Sequence, residues 1–204
     1  MANKKVEQSK YMSWVLRHGL KEVGLEPDES GYVKLNDFIK LSNQNYKLDE
    51  KIIMEIVSNC QKQRFSIKEV DNIKYIRANQ GHSLNVSNQI KSDKLLVKLN
   101  KPIQGVFHGT YKTHLESIKT SGLNRMKRQH IHLAKGLDAA SGKRHDNNLI
   151  VYVDMAKAMA DGIEFFESAN GVILTEGIEG ILPAKYLSYA ELVKGNPVPL
   201  QNNK

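Results

Sequence analysis

Cysteine is almost missing from the chain. Cys60 is the single one among 204 residues, which excludes an internal disulfide and a multi-cysteine metal site. No apolar run approaches the ~18–20 residues that a membrane span needs. The start, Met1-Ala2-Asn3-Lys4-Lys5, leads into a polar stretch without an apolar h-region, so no secretory signal is expected. There is no GxxxxGK[ST] and no GxGxxG after a strand, which argues against P-loop and Rossmann nucleotide sites. The seven histidines form no ligand set. His130 and His132 are two apart and share one strand face, but no third ligand is signalled nearby, so a structural or substrate-contact role outweighs a metal. The expectation is a reduced, soluble, cytoplasmic protein, with nuclear access if the host is eukaryotic.

Acidic residues are also short in number. Thirty Lys and Arg stand against 22 Asp and Glu, for a net charge of +8. A field of that sign attracts polyanions, nucleic acid first. No basic tail holds the excess: residues 1–90 carry 14 basic and 11 acidic side chains, the remainder 16 and 11. Between Lys119 and Arg144 there are seven basic residues and one acid, Asp138. That stretch is either a solvated basic face or a phosphate-facing surface. Hydrophobic residues at 40% and charged residues at 25% are ordinary for a globular chain.

Two lobes fit the pattern better than one, with boundaries at 1–90 and 91–204. Val6, Tyr11, Met12, Val15 and Leu16 have helical spacing, and Gly19 is a natural stop with Arg17 and His18 in the last turn. Ser30-Gly31 marks a turn before a short strand, Tyr32–Leu35. Asn36 is expected to cap a helix carrying Phe38, Ile39 and Leu41, and a third helix runs from about Asp49 to Cys60. Arg64–Lys68 and Ile73–Ala78 alternate like strands around Val70-Asp71-Asn72. Helix, strand, two helices and a terminal hairpin together predict a winged-helix lobe. Residues 84–101 read as a connector.

The second half mixes strands and short helices. Strands are expected at Ile103–His108, His130–Leu133 and Leu149–Asp154, with a helical turn or two at Met155–Ala160. Thr113-His114-Leu115-Glu116 has the form of a capping box for a helix that Gly122 ends. Asn170-Gly171, between Phe165-Phe166 and Val172–Leu174, is a hairpin signal. From Gly195 the chain shows little periodicity and no core content, so a mobile tail is expected. The fold class is α+β.

Four clusters carry candidate chemistry. Arg17-His18 places cations at a helix end, which is favourable in itself by ~0.3–1 kcal/mol. Arg77-Ala78-Asn79-Gln80-Gly81-His82-Ser83 directly follows a strand and is poor core material but rich in phosphate-binding donors. His108-Gly109-Thr110 ends a strand; its glycine either lets a ligand approach the backbone or serves an ordinary turn. Arg125-Met126-Lys127-Arg128-Gln129-His130-Ile131-His132 is the densest basic patch, either a solvated loop or a binding loop.

These motifs carry a resemblance. Ser9–His18, Ile76–Ser83, His108–Thr110, Gly122-Leu123 through Met126, Arg128, His130–His132 and Ser168–Thr175 occur in the order seen in the NAD-dependent RNA 2′-phosphotransferases. The match spans roughly residues 9–187, and several independent motifs in one order make it specific. One departure is Ala134, where a serine is frequent, so this chain has no side-chain hydroxyl at that position. The resemblance implies an N-terminal winged-helix RNA lobe and a C-terminal ADP-ribosyltransferase-like NAD lobe.

It also implies a reaction: removal of an internal RNA 2′-phosphate, as at a tRNA splice junction. The phosphate attacks the NAD ribose carbon that bears nicotinamide, giving an ADP-ribosylated RNA phosphate. A ribose hydroxyl then attacks phosphorus, leaving 2′-hydroxyl RNA and ADP-ribose 1″,2″-cyclic phosphate. The family places Arg17, His18, Arg77 and Arg128 around the 2′-phosphate, with Gln80, Gly81, His82 and Ser83 as substrate contacts. His108, Gly109 and Thr110 resemble the strand-end motif that holds the nicotinamide-side ribose, and His132, Ser168 and Asn170 join them as NAD contacts. Ser168–Gly171 either builds a wall of that site or is simply the hairpin its Asn-Gly implies. NAD is expected as co-substrate, with no metal, no membrane, an RNA partner (tRNA above all) and a monomeric state. The alternatives are an ADP-ribosyltransferase capping nucleic-acid 5′-phosphate ends, and a non-catalytic RNA-binding winged-helix protein.

Overall fold

The computed structural model describes residues 2–136, 147–193, 197–198 and 200. The chain is α+β. It divides into two compact units, Met1–Leu95 and Leu96–Lys204.

In the first unit the helix α1 (Ala2–Trp14) runs into a π-helical turn, Val15–Gly19. There follow β1 (Val33–Lys34), α2 (Leu35–Tyr46), α3 (Glu50–Ser58), β2 (Phe65–Val70) and β3 (Ile73–Ala78), then two single-turn helices, α4 (Leu84–Ser87) and α5 (Ser92–Leu95). The strands form one antiparallel sheet in the order β1-β3-β2. Asp71 and Asn72, with φ of 51° and 62°, make the tight turn that matches the twist of the β2–β3 hairpin. Met12, Val15, Leu16, Phe38, Ile53 and Ile76 are wholly buried, each stabilising the fold by roughly 1.5–3 kcal/mol.

Several local expectations need correction. Helix α2 starts at Leu35 with Lys34 as its cap residue and no side-chain cap, so Asn36 already lies inside it. Asp49 does cap α3, its carboxylate accepting from the Ile52 N–H at 2.7 Å. Gly19 ends the π-helical turn, but not by adopting a left-handed conformation. A Cβ there would lie 2.8 Å from the Trp14 ring, so the glycine is required by close packing. Residues 84–101 are not a plain connector. Val86, Ile90 and Leu95 are buried, and α4 and α5 are too short to show a helical period.

The second unit holds β4 (Val97–Lys98), β5 (Val106–Thr110), α6 (Leu115–Ser121), β6 (Leu123–Asn124), β7 (Ile131–Lys135), β8 (Leu149–Val153), α7 (Met155–Ala160), β9 (Phe166–Glu167), β10 (Ile173–Thr175), β11 (Ile181–Leu182), β12 (Leu187–Leu192) and β13 (Pro197–Val198). Eight of these strands form one sheet, ordered β13-β12-β8-β5-β7-β10-β9-β4, while β11 pairs with β6. All pairings are antiparallel among the described residues. A core of Leu133, Leu149, Val151, Phe165, Ile173 and Tyr186, among others, is buried in this unit.

Here β5 starts at Val106, three residues later than expected, and Ile103 packs against the core from outside the sheet. The Thr113 capping box does not form. Lys112–His114 is a 3-10 turn, and α6 begins at Leu115 without a side-chain cap. Gly122, with φ of 86°, ends α6 as expected. The stretch from Gly195 is not without core content: Pro197–Val198 pairs with β12, and Leu200 is buried. Its other residues, like the end of the basic stretch from Asp138 to Arg144, lie outside the described residues.

Candidate active site

The π-helical turn Val15–Gly19 carries Arg17 and His18, both half-buried. Such widened turns recur at functional sites. The loop after β3 is latched to it. The Ser83 N–H and hydroxyl both donate to the Arg17 carbonyl, at 3.0 and 3.2 Å. Gly81, with φ of 88°, passes beneath the Arg17 side chain, and a Cβ there would lie 3.4 Å from Nε and 3.5 Å from Cζ. The guanidinium thus rests on bare backbone.

Arg77, on β3, is held from another side. Its Nη1 donates to the Ser30 carbonyl at 3.0 Å, and its guanidinium carbon stands 4.6 Å from the centre of the Tyr32 ring. Asp28 builds the turn that presents both. One of its carboxylate oxygens accepts from the Ser30 N–H, the Ser30 hydroxyl and the Tyr32 N–H at 2.8–2.9 Å. Burial opposes ionisation of Asp28, but these bonds and Lys68 outweigh it and hold the carboxyl below its usual range. Anchoring through Nη1 leaves the Nε side of the Arg77 fork without a hydrogen bond. The Nε–H on that edge is buried and has no hydrogen-bond partner. A buried donor left so costs about 1–3 kcal/mol, and a phosphate oxygen would satisfy it.

The other residues of the Arg77–Ser83 run divide by role. Asn79 is a strut: its side chain donates to the Gln63 carbonyl at 2.7 Å and accepts from the Ser66 hydroxyl at 2.6 Å. His82 is 1% exposed and lies under Gly31, where a Cβ would be 3.7 Å from its Nε2. The Ser83 hydroxyl is engaged by Arg17 and Asn85. Gln80 stays half-buried.

In the second unit β7 lies between β5 and β10. The His108 Nδ1–H donates to the His132 carbonyl at 2.9 Å, and the His132 Nδ1–H donates to the His130 carbonyl at 3.0 Å. Each bond selects the tautomer whose Nε2 is an acceptor, which suits a ribose hydroxyl. The absent Cβ of Gly109 is used by the chain itself: it would sit 2.8 Å from the Asn147 side-chain nitrogen. Thr110 is buried. Ser168 is spent in the hairpin, its hydroxyl accepting from the Val172 N–H at 3.1 Å and donating to Asn170 at 2.8 Å. Ala134 is wholly buried with Phe107 and Ile150, an apolar place for a methyl group.

The basic loop is less uniform than its sequence. Arg128 is exposed. Arg125 is not a solvated companion of Lys127: it packs on Gly180, where a Cβ would meet its Nε at 2.4 Å, and its Nη1 donates to the Gln129 carbonyl at 3.3 Å. Ser30 and Tyr32 were readable as a turn and a strand but not as partners of Arg77, nor Asn147 as a partner of Gly109, because a carbonyl contact and a packing partner have no motif.

His130 is 4% exposed. Burial, with Arg125 nearby, pushes its pKa down to about 4, so it is neutral at pH 7. Because the unfolded chain binds this proton near pH 6.5, stability is complete above 6.5 and falls as the pH drops toward 4. The loss is about 2 kcal/mol at pH 5. Urea unfolding at pH 7.5 and pH 5 should show that loss in the wild type and much less in His130→Gln. An equal loss in both would refute the assignment.

Among the described residues, no group of three or more His, Cys, Asp or Glu side chains could hold a metal ion, and no helix is long and apolar enough to cross a membrane. The chain as a whole is similar to known proteins. A Schizosaccharomyces pombe protein is 42% identical over 197 residues, 95% of this chain, which spans about half of that relative's length. tRNA 2′-phosphotransferase 1 of Danio rerio is 39% identical over 205 residues, covering 96% of this chain and 89% of that one. A Rhizobium leguminosarum protein is 39% identical over 190 residues, 92% of this chain and 95% of its own. The family model for RNA 2′-phosphotransferases of the Tpt1/KptA family matches residues 3–177, a range that holds every candidate residue above, and the chain belongs to that family.

Proposed function

We propose that the protein removes an internal 2′-phosphate from RNA, with tRNA splice junctions as the substrate class, by transferring it to NAD. The observation that carries this reading is Arg77, anchored through Nη1 and carrying a buried, unsatisfied Nε–H. Arg17 rests on Gly81, four residues after Arg77. The first unit is read as a winged-helix RNA lobe and the second as an ADP-ribosyltransferase-like NAD lobe.

NAD supplies an electrophilic ribose carbon with nicotinamide as leaving group. A phosphomonoester is mostly dianionic at pH 7, since its second pKa is ≈ 6, so the attack needs no base. It needs orientation. Arg17 and Arg77 supply planar donors to the phosphate oxygens; Arg128, exposed in the second unit, is a further candidate donor. His108 and His132 offer Nε2 acceptors to ribose hydroxyls, the fit their tautomers favour, with Thr110, Gly109 and Asn170 shaping that site. Ser168 contributes by holding Asn170. In the second step the phosphorus is attacked by a ribose hydroxyl, the bond to the RNA 2′-oxygen breaks, and that oxygen leaves as a hydroxyl. The arginines stabilise the charge that builds on phosphorus. His18 is the one of these side chains that can both donate and accept a hydrogen bond.

The test is a 2′-phosphorylated RNA incubated with and without NAD, and with EDTA. Release of the phosphate should vanish without NAD and persist in EDTA. Full activity without NAD, or a loss reversed only by a divalent ion, contradicts the proposal.

A further inference from the structure

The turn between β10 and β11 touches the basic loop that carries Arg128 at both ends of that loop. We infer that this turn is a mount for Arg128, with Arg125 and Gly180 as positioning residues that act through it. The inference rests on the reading of Arg128 as a phosphate donor and names what aims it.

The turn is tightly bonded. Ile178 and Ile181 exchange both backbone hydrogen bonds, at 2.7 and 3.0 Å, around Glu179 and Gly180, whose φ values are 52° and 90°. Two successive residues of positive φ between paired strands make a hairpin turn that matches the strand twist. Thr175, wholly buried, holds its base: the hydroxyl donates to the Glu164 carbonyl at 2.8 Å and accepts from the Gly177 N–H at 3.0 Å. The β6–β11 ladder pairs Leu123 with Leu182 and Asn124 with Ile181. It runs one step further, where the Arg125 N–H donates to the Gly180 carbonyl at 3.0 Å. At the other end of the loop the Glu176 carboxylate stands 3.6 Å from His130 Nε2.

Arg125 closes the loop around Arg128. Its carbonyl accepts from the Arg128 N–H at 3.1 Å, and its Nη1 donates to the Gln129 carbonyl at 3.3 Å. The backbone is thus pinned at Arg128 and again at the next residue, while Arg128 itself is exposed. Met126 holds a φ of 57° in this loop, with its N–H donating to the Asn124 side chain at 2.6 Å. A non-glycine residue persists in that region where its surroundings over-determine it. Gly180 is buried, and a Cβ there would collide with the Arg125 side chain, so only glycine lets that side chain lie across the turn. A donor held ready in this way loses less freedom when it binds.

The experiment uses the full chain, NAD and a trinucleotide whose middle residue carries the 2′-phosphate, and compares Arg125→Ala, Arg125→Lys, Gly180→Ala and Arg128→Ala. Arg125→Ala should slow the single-turnover rate about thirtyfold, the scale of a shift just under ~1 Å at a positioned donor. Gly180→Ala should do the same, since its methyl displaces the Arg125 side chain. Arg125→Lys should recover most of the loss, because the loop draws a single donor from that side chain, to the Gln129 carbonyl. In the Arg128→Ala background, Arg125→Ala should cost less than about twofold more, since nothing is left to position. A merely structural role would keep its full effect there. Hydrogen exchange reads the loop without turnover: the Arg128 amide should exchange about tenfold faster in Arg125→Ala and Gly180→Ala. Losses that multiply in the double variant, or unchanged exchange at Arg128, would overturn the inference. So would a lysine at 125 as damaging as alanine, which would make Arg125 a phosphate ligand itself. If exchange quickens as described but Arg128→Ala turns over at the wild-type rate, the phosphate role of Arg128 is refuted and the mount stands.

Discussion

Arg77→Lys is expected to lose nearly as much single-turnover rate as Arg77→Ala, roughly 10²–10⁴-fold in each. The fork of Arg77 is pre-set: Nη1 is spent on the Ser30 carbonyl, Tyr32 lies alongside, and the buried Nε–H has no hydrogen-bond partner. Two charge-assisted hydrogen bonds to phosphate at ~1.5–3 kcal/mol each account for that range. Lysine restores the charge but neither the anchor nor the two parallel donors. Arg128→Lys should also behave like Arg128→Ala, since lysine lacks the planar fork. Lys127→Ala is the control, and should stay within a few-fold of wild type. Arg125 is unsuited to that purpose, because its removal would release the Gln129 carbonyl and the Gly180 contact. A lysine at either arginine position that sustains the wild-type rate contradicts bidentate binding.

Gly81→Val should reduce the rate by about 10² or more while the protein still folds. Gly81 sits at φ 88°, where any other residue costs roughly 1–2 kcal/mol. Alanine meets that cost alone, since its methyl would stand 3.4 Å from Arg17 Nε, an ordinary contact. Valine adds branches that must displace the guanidinium, and a shift of about 1 Å at a positioned group is enough for a hundredfold loss. Urea unfolding and single-turnover rates on both variants separate the two effects. The expected pattern is a larger stability loss for valine than for alanine, and a large rate loss in folded protein for valine alone. A folded Gly81→Val protein with full activity would show that Arg17 is not held by this glycine.

Elements with a strong period or a strong turn residue were readable from the residues alone: α1, α3, the Asp71-Asn72 hairpin and β8 fall where the spacing predicts. The α+β class follows from them. Elements whose shape depends on distant partners were not. The π-helical turn has the same residue types as an ordinary helix end, and only the Trp14 ring over Gly19 reveals why the glycine is there. The Thr113 box fails because a 3-10 turn occupies its place. Helices of one turn, such as α4 and α5, are shorter than the window in which a period can be seen. In the candidate site, Arg17 and Arg77 were legible as residue types. What holds them, a carbonyl at Ser30, a ring at Tyr32 and a hydroxyl latch at Ser83, was not, because those contacts span tens of residues. His82 looked like a donor in sequence and is buried in the fold.

The account turns on phosphate transfer to NAD, and analysis of the products of one reaction tests it most directly. A 2′-phosphorylated, 5′-hydroxyl RNA is incubated with the full chain and NAD, and every product is identified by mass. The expected products are 2′-hydroxyl RNA, nicotinamide and ADP-ribose 1″,2″-cyclic phosphate in equal amounts. Inorganic phosphate in place of the cyclic phosphate, or an ADP-ribosylated RNA as the final product, would contradict it.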